Sequence, residues 1–294
     1  APENKAGYAL GTLQMAIYVG ASAGPLVGGV VADTLGYRTA FFITGALLLV
    51  AAAFVLFLVE EPERDEPQVA RRDRTATERG LGQRLAHQLA PFTASAPLLA
   101  VLSIRLILRL ASRLSQPTLP LFVETIAPPE ARIATLTGII SGANALGGAV
   151  GGRQLGLLGD RVGYRTILVV CALGSALCYV PQSLVTDSRW LIPLQAVAGL
   201  AMGGILASIS ASLAALAPRG REGIVYGLDA SVVSVANAIG PMTGSALAAW
   251  LGLRAPFLAA AAVFGVGAAV AVRLLTEPAD RTLDQARAEG IISR

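Results

Sequence analysis

The chain alternates between long apolar stretches and short polar turns. A helix that crosses the apolar core of a bilayer needs roughly 20 apolar residues, and eight stretches of about that length can be marked out. The turns between them are rich in Gly, Pro, Arg and Asp, which commonly end helices. The pattern predicts eight membrane-spanning helices, over about residues 7–32, 39–59, 97–123, 133–152, 165–185, 190–217, 223–250 and 255–275.

One connecting segment is longer and more polar than the others. It contains the run EEPERDEPQVARRDRTATERG, in which charged residues dominate. We interpret residues 60–92 as a solvated linker between two membrane units. The first unit is a helix pair over residues 1–59, the second is a six-helix unit over residues 93–276, and residues 277–294 form a polar tail.

Composition agrees with a membrane protein and excludes two other classes. Of the 294 residues, 54% are hydrophobic and only 14% are charged, whereas about a quarter of the residues in a soluble domain are charged. Such a chain has too little polar surface to cover a soluble core and too much apolar surface to stay disordered. The arginines are scattered without interleaved aromatic residues, so we expect no nucleic-acid partner.

The distribution of positive charge orients the predicted helices. With the N-terminus placed in the cytoplasm, 16 of the 23 Lys and Arg residues lie on the cytoplasmic side and four lie on the other. Because cytoplasmic loops carry an excess of Lys and Arg, this split predicts that both ends of the chain are cytoplasmic.

The first helix pair is repeated at the end of the chain. At a constant offset of 216 residues, Gly24-Pro25 corresponds to Gly240-Pro241, and Leu35-Gly36 corresponds to Leu251-Gly252. By the same offset, the helices between residues 97 and 217 predict four partner helices of about 120 residues before Ala1. Two parallel six-helix halves with a cytoplasmic linker form the major facilitator fold. We therefore expect an all-α polytopic membrane protein of this fold, with eight of its twelve helices in this chain.

Small residues recur along the first predicted helix. They allow close helix packing in lipid, while the proline removes a backbone hydrogen bond and bends the helix. A plain packing seam remains an alternative. The full spacing resembles the antiporter signature on the fifth helix of the drug/proton antiporter families of the major facilitator superfamily. The residues of this pattern are Gly11, Gly20, Gly24, Pro25, Gly28 and Gly29.

A second motif lies between the fourth and fifth predicted helices. It consists of Gly156, Asp160, Arg161, Gly163 and Arg165, and it resembles the cytoplasmic loop signature of the same superfamily. A carboxylate there can face the positive N-terminus of a neighbouring helix. Pseudo-symmetry points to the first helix, near Gly7 and Tyr8, as that neighbour, which predicts a cytoplasmic gate. The alternative is that the arginines only enforce topology.

Three arginines recur on one face of the third predicted helix. Arg105, Arg109 and Arg113 are four residues apart, and Arg109 lies about 18 Å from the helix start at 1.5 Å per residue. Charges at that depth are costly and usually face water or a partner. We predict that Arg109 and Arg113 line a central cavity and bind an anionic group or pair with a carboxylate. The alternative is that the arginines form structural ion pairs with a helix outside the chain. For Arg105, a further alternative is that its side chain extends towards the membrane surface.

Other polar residues fall on helices that line the cavity in the family the chain resembles. We predict that these residues contact substrate, and for each of them a helix–helix hydrogen bond is the alternative. They are Gln14, Tyr18, Gln116, Asn144, Gln195, Ser234 and Asn237. Asp229, one to two turns inside the seventh helix, is assigned to the cytoplasmic gate with a partner preceding Ala1, and proton transport is the alternative. Asp33 and Glu124 are expected at the membrane surface.

The resemblance implies a secondary active transporter that exports drug-like or amphiphilic molecules by alternating access, with the proton as coupling ion. In such antiporters the titrating acid and its arginine lie on the first and fourth helices, and the chain itself shows no convincing midplane carboxylate. A transporter of a dedicated, possibly anionic, metabolite is the alternative, and a non-transporting scaffold is a third.

The remaining expectations concern partners and chemistry. His87 lies in the linker, and Cys171 and Cys178 lack metal-ligand spacing, so we expect no metal, no cofactor and no enzyme activity. The resemblance implies a monomer that is embedded in the lipid bilayer of a bacterial inner membrane and binds a small-molecule substrate.

Overall fold

Helices make up nearly all of the described chain. The computed structural model describes residues 6–58, 95–218 and 222–275, without the side chains of residues 6–18 and 58. The predicted linker and tail lie outside these residues. The helices are α1 (Ala6–Leu35), α2 (Tyr37–Leu58), α3 (Ala96–Leu114), α4 (Leu119–Ile126), α5 (Ile133–Val162), α6 (Tyr164–Leu184), α7 (Leu191–Leu216), α8 (Glu222–Leu251) and α9 (Ala255–Leu274), with a short 3₁₀ helix at Ser188–Trp190.

The predicted fold class is confirmed for the described part of the chain. Six of its helical segments are long and apolar enough to cross a membrane: Tyr37–Phe57, Ile133–Val162, Tyr164–Leu184, Ser188–Leu216, Glu222–Leu251 and Ala255–Leu274. All eight predicted spans correspond to helices, and α3 is less apolar than the others because it carries the three arginines.

The repeat read from the sequence is present in the backbone. Helices α1 and α8 have 30 residues each, begin and end at positions 216 apart, and contain Pro25 and Pro241 at corresponding places. Each is followed by a short turn that begins with a glycine of positive φ, 85° at Gly36 and 89° at Gly252. Glycine adopts this conformation without strain because it has no Cβ.

The third predicted span consists of two helices. It was expected as one helix over residues 97–123, but α3 ends at Leu114 and α4 begins at Leu119. Pro117 has no N–H to donate and disfavours the helical conformation of the residue before it, whereas Pro120 is accepted in the first turn of α4. Two prolines three residues apart therefore end one helix and begin another.

Helix α5 is longer than predicted and includes most of the second motif. The sequence suggested a span over about 133–152 followed by a turn, but α5 continues to Val162 and only Gly163, at a φ of 91°, forms the turn. The glycines of α5 are poor helix formers by themselves. They pack directly on the α7 backbone at Gly147 and Gly151, and this packing outweighs their low propensity.

The core lies between helices α3 to α9, which follow residue 95. Helix α5 packs along α7, α6 lies between α7 and α9, and α3 contacts both α8 and α9. Phe122, Phe257 and Phe264 are among the largest fully buried side chains. Helix α1 packs along α5, whereas α2 contacts α1 and leaves its apolar side chains exposed, as expected for a surface that faces lipid or other helices.

Candidate functional site

Helices α3 and α8 run parallel, and polar side chains of one contact polar side chains of the other at a constant sequence separation. Arg105 forms an ion pair with Asp229, at 3.0 Å between Nε and Oδ1. Two turns further along, Arg113 Nε donates a hydrogen bond of 2.8 Å to Asn237 Oδ1. Both pairs are separated by 124 residues in the sequence.

Glycines on α8 explain why the two helices lie so close. A Cβ at Gly244 would collide with the Leu114 carbonyl group, and one at Gly240 would lie 2.5 Å from Cβ of Arg113. The repeat glycines therefore act as packing residues that bring the polar faces of α3 and α8 into contact.

The partner of Asp229 lies within this chain. Sequence reasoning assigned this residue to the cytoplasmic gate with a partner preceding Ala1, and it recognised no carboxylate deep in the membrane. In the structure Asp229 is the eighth residue of α8, about 10 Å from the helix start at 1.5 Å per residue, and it neutralises Arg105. The periodicity of each helix could not reveal this pairing, because it depends on the register between two helices.

Five of the nine predicted cavity residues line a cavity of about 430 Å³. Arg109, Arg113, Gln116, Asn144 and Gln195 contribute to its polar wall, together with three serines. The apolar wall includes Tyr179, Met202, Leu206 and Phe264, and Pro25 of α1 lies at its edge. Sequence reasoning missed the aromatic residues, because an aromatic residue inside an apolar run has no pattern that marks it as cavity-lining.

The remaining predicted cavity residues lie elsewhere. Asn237 accepts its hydrogen bond from Arg113, and Ser234 donates to the Ala230 carbonyl of its own helix. Neither lines this cavity. The side chains of Gln14 and Tyr18 lie outside the described residues, so their assignment stays a prediction.

Asn144 and Gln195 line the cavity and also join helices through hydrogen bonds. Asn144 Nδ2 donates to the side-chain oxygen of Gln195 at 2.9 Å, and Gln195 Nε2 donates to Oε1 of the fully buried Gln182 at 3.2 Å. This chain of amides links α5, α7 and α6. It also forms part of the cavity wall and holds its polar groups in fixed orientations.

The three arginines of α3 differ in what they contact. Arg105 is paired with Asp229, and Arg113 donates to Asn237 and to Gln116. Arg109 also lines the cavity, and its Nε is buried without a hydrogen-bond acceptor among the described residues. A buried N–H without an acceptor is costly, so an anionic group in the cavity would give Arg109 Nε the acceptor that the described residues do not supply.

Helices α1 and α5 are antiparallel and in close contact. A Cβ at Gly29 would collide with the Ala134 carbonyl, and one at Gly138 would collide with the Pro25 carbonyl. Gly20, Gly24 and Gly28 meet nothing among the described residues. The glycine pattern of α1 therefore has two faces, of which one packs on α5, while Gly11 lies in the part of α1 for which no contacts are described.

A carboxylate lies at one end of the contact between α1 and α5. Asp33, near the end of α1, accepts hydrogen bonds from the backbone N–H groups of Thr135 at 2.6 Å and Ala134 at 3.3 Å. These residues belong to the first turn of α5, whose own N-cap residue, Arg132, makes no side-chain capping bond. Sequence reasoning placed Asp33 only at the membrane surface, although the missing cap of α5 was a signal that another residue supplies one.

The second motif makes local contacts. The Tyr164 hydroxyl donates to Asp160, and Arg165 donates a hydrogen bond of 2.7 Å to the Val272 carbonyl near the C-terminus of α9. Arg161 is exposed, while Gly156 and Gly163 shape the end of α5. The side chains near Gly7 and Tyr8 are outside the described residues, so the predicted contact of Asp160 with the first helix stays a prediction.

Three comparisons with known proteins bear on this architecture. The profile of the Major Facilitator Superfamily matches residues 1–125 and 101–293. The chain is 32% identical over 268 residues to "Uncharacterized MFS-type transporter YuxJ" of Bacillus subtilis (strain 168), which covers 91% of this chain and 66% of that protein. It is 31% identical over 278 residues to "Multidrug resistance protein MdtG" of Klebsiella pneumoniae (strain 342), which covers 95% of this chain and 65% of that protein. The chain thus spans slightly less than two thirds of the length of these relatives.

Proposed function

The chain belongs to the Major Facilitator Superfamily, and from this premise we propose that the full-length protein is a secondary active transporter that exports amphiphilic small molecules by alternating access. The observation that carries the proposal is the cavity bordered by α3, α5 and α7, which joins a polar wall to an aromatic one. Its volume of about 430 Å³ falls within the range of about 300–1,000 Å³ for sites that bind drug-sized molecules. The name of the MdtG relatives, multidrug resistance protein, supports export of drug-like molecules in particular.

Proton coupling is part of the proposal, but we assign the proton-carrying step to no residue of this chain. Among the described carboxylates, Asp229 lies furthest from either end of its helix, and it is held by Arg105. Separating a buried carboxylate from its guanidinium leaves two uncompensated charges, which is costly. We therefore interpret this pair as a structural element of the six-helix unit.

Transport of a dedicated anionic metabolite is the second candidate, and Arg109 is the observation that favours it. The Arg109 side chain lines the cavity, its buried Nε has no acceptor among the described residues, and Arg113 lies one turn further along the same wall. A sulfonate, carboxylate or phosphate group would provide the missing acceptor through charge-assisted hydrogen bonds.

We expect proteoliposomes that contain the full-length protein to export a loaded naphthyl amphiphile when protons are driven inward. The probes are a naphthalenesulfonate and a naphthyltrimethylammonium, whose charges do not change with pH. Release that depends on both the protein and the gradient supports export. Uptake of a probe together with the protons would contradict it, and absence of gradient-dependent movement for both probes would contradict transport of amphiphiles.

The same assay separates the two candidates. A broad exporter moves both probes, and Arg109→Gln lowers transport of the sulfonate alone, by about tenfold or more, the value of a charged hydrogen bond. Transport restricted to the sulfonate and abolished by Arg109→Gln favours the anionic metabolite. Arg109→Lys is the matched control, because it keeps the charge.

A further inference from the structure

The contact between Asp33 and α5 joins two parts of the molecule that are distant in the sequence. Asp33 lies on α1, in the helix pair that precedes the linker, whereas Thr135 and Ala134 begin α5 in the unit that follows it. By the repeat, these parts belong to different six-helix halves. The charge distribution places this end of both helices on the outer side of the membrane.

The chemistry of the contact is that of a helix cap supplied from outside the helix. The first N–H groups of a helix have no partner within it, and they carry a partial positive charge that a carboxylate stabilises. Residue 132, at the N-cap position of α5, is an arginine and makes no side-chain cap. The first turn of α5 therefore depends on Asp33, and it is capped in this way only while α1 is docked.

Close backbone packing fixes the register at which Asp33 meets α5. Gly29 lies against Ala134 and Gly138 lies against Pro25, within two turns of Asp33. Gly142 continues the contact, since a Cβ there would lie 3.0 Å from the Ser22 carbonyl oxygen. A shift of α1 along α5 would separate Asp33 from the N–H groups and bring side chains into collision. The contact is therefore either made in full or lost, as a two-state element requires.

We propose that Asp33 is a latch that holds the outer ends of α1 and α5 together and must release α5 whenever that end opens. In alternating access the two halves rock against each other, so a bond between them exists in one state and is broken in the other. The proposal rests on the two-half architecture and does not depend on the substrate. Asp33 is a positioning residue in this account.

The test measures the distance between the outer ends directly. Spin labels on Arg38→Cys and Glu130→Cys, both exposed positions, report the separation of the two units in the full-length protein with Cys171 and Cys178 replaced by serine. Asp33→Ala should shift the ratio of long to short distances towards the long ones by about three- to thirtyfold, the range expected for a lost cap with its charge. Asp187→Asn is the matched control, because Asp187 accepts a hydrogen bond from Arg189 N–H within one unit and should leave the ratio unchanged.

A second variant separates a latch from a cap that only stabilises α5. Arg132→Ser gives α5 a capping residue of its own. In the double variant Asp33→Ala/Arg132→Ser the helix end is capped again, but the two units are not joined through residue 33. The latch predicts that thermal stability recovers while the long distances persist. Return of the short distances, or an unchanged ratio in Asp33→Ala alone, would overturn the proposal.

Discussion

Replacing Asp229 by alanine is expected to lower the free energy of unfolding of the six-helix unit by about 3–5 kcal/mol, the usual cost of removing one partner of a buried ion pair. The side chains of Arg105 and Asp229 are only 10% and 17% exposed, and Asp229 lies on a helix that is long and apolar enough to cross a membrane. Without Asp229, Arg105 is a charge in an apolar environment with no described partner. The loss should appear in unfolding of the purified protein by SDS, followed by circular dichroism.

Two further variants test whether this loss of stability comes from the ion pair between Arg105 and Asp229. Arg105→Met/Asp229→Leu removes both charges and keeps similar volumes, so it should recover most of the stability, since apolar replacement of a buried pair is often neutral or better. Glu124→Ala removes an exposed carboxylate near the end of α4 and should change the free energy by no more than about 0.5 kcal/mol. A double variant as unstable as Asp229→Ala would show that the pair is not what holds α3 to α8.

The second large loss of stability is expected when a single methyl group is added between α5 and α7. Gly199 of α7 lies against the backbone of α5 at Asn144, and the same pair of helices carries the hydrogen bond from Asn144 to Gln195. Gly199→Ala puts a Cβ where the Asn144 carbonyl lies, so the helices must separate and the amide chain must lengthen. We expect a loss of about 3 kcal/mol, the upper range for overpacking.

Gly265→Ala is the matched control for this variant. It makes the same change at a helical glycine near which nothing lies within 4 Å, and it should be neutral or slightly stabilising, because alanine is the better helix former. The same unfolding measurement compares the two. Equal effects at the two positions would contradict close packing of α5 on α7.

Much of the helical arrangement could be predicted because it depends on local properties of the chain. Apolar length gave the spans, and the offset of 216 residues gave α1 and α8 with identical boundaries. The break between α3 and α4 and the full length of α5 were missed. The first depends on two prolines acting together, and the second depends on packing of glycines against a helix distant in the sequence.

The sequence could predict which types of residue line the site, but not which residues pair with each other. Five of the nine predicted cavity residues do line the cavity, since polar residues in apolar helices are costly unless they face a polar space or one another. The pairing of Arg105 with Asp229 and the capping of α5 by Asp33 join residues more than 100 positions apart. Such contacts depend on the register between helices, which the periodicity of one helix does not contain. A carboxylate at a helix N-terminus was expected for Asp160, which stays a prediction, and the structure shows a contact of this kind at Asp33.

The central claim, that this cavity opens to the two sides of the membrane in turn, can be tested most directly at Ser112, which lines it. Ser112→Cys is placed in full-length protein whose Cys171 and Cys178 are replaced by serine. It is then modified by a membrane-impermeant thiol reagent added at either face, with and without the naphthyl probe that the proteoliposomes move. Cysteine at Ser175, which is 1% exposed and lies outside the cavity, is the control and should react slowly from both faces. Alternating access predicts that the probe lowers the rate at one face and raises it at the other. Rates at Ser112→Cys that change together at the two faces, or do not change, would contradict it.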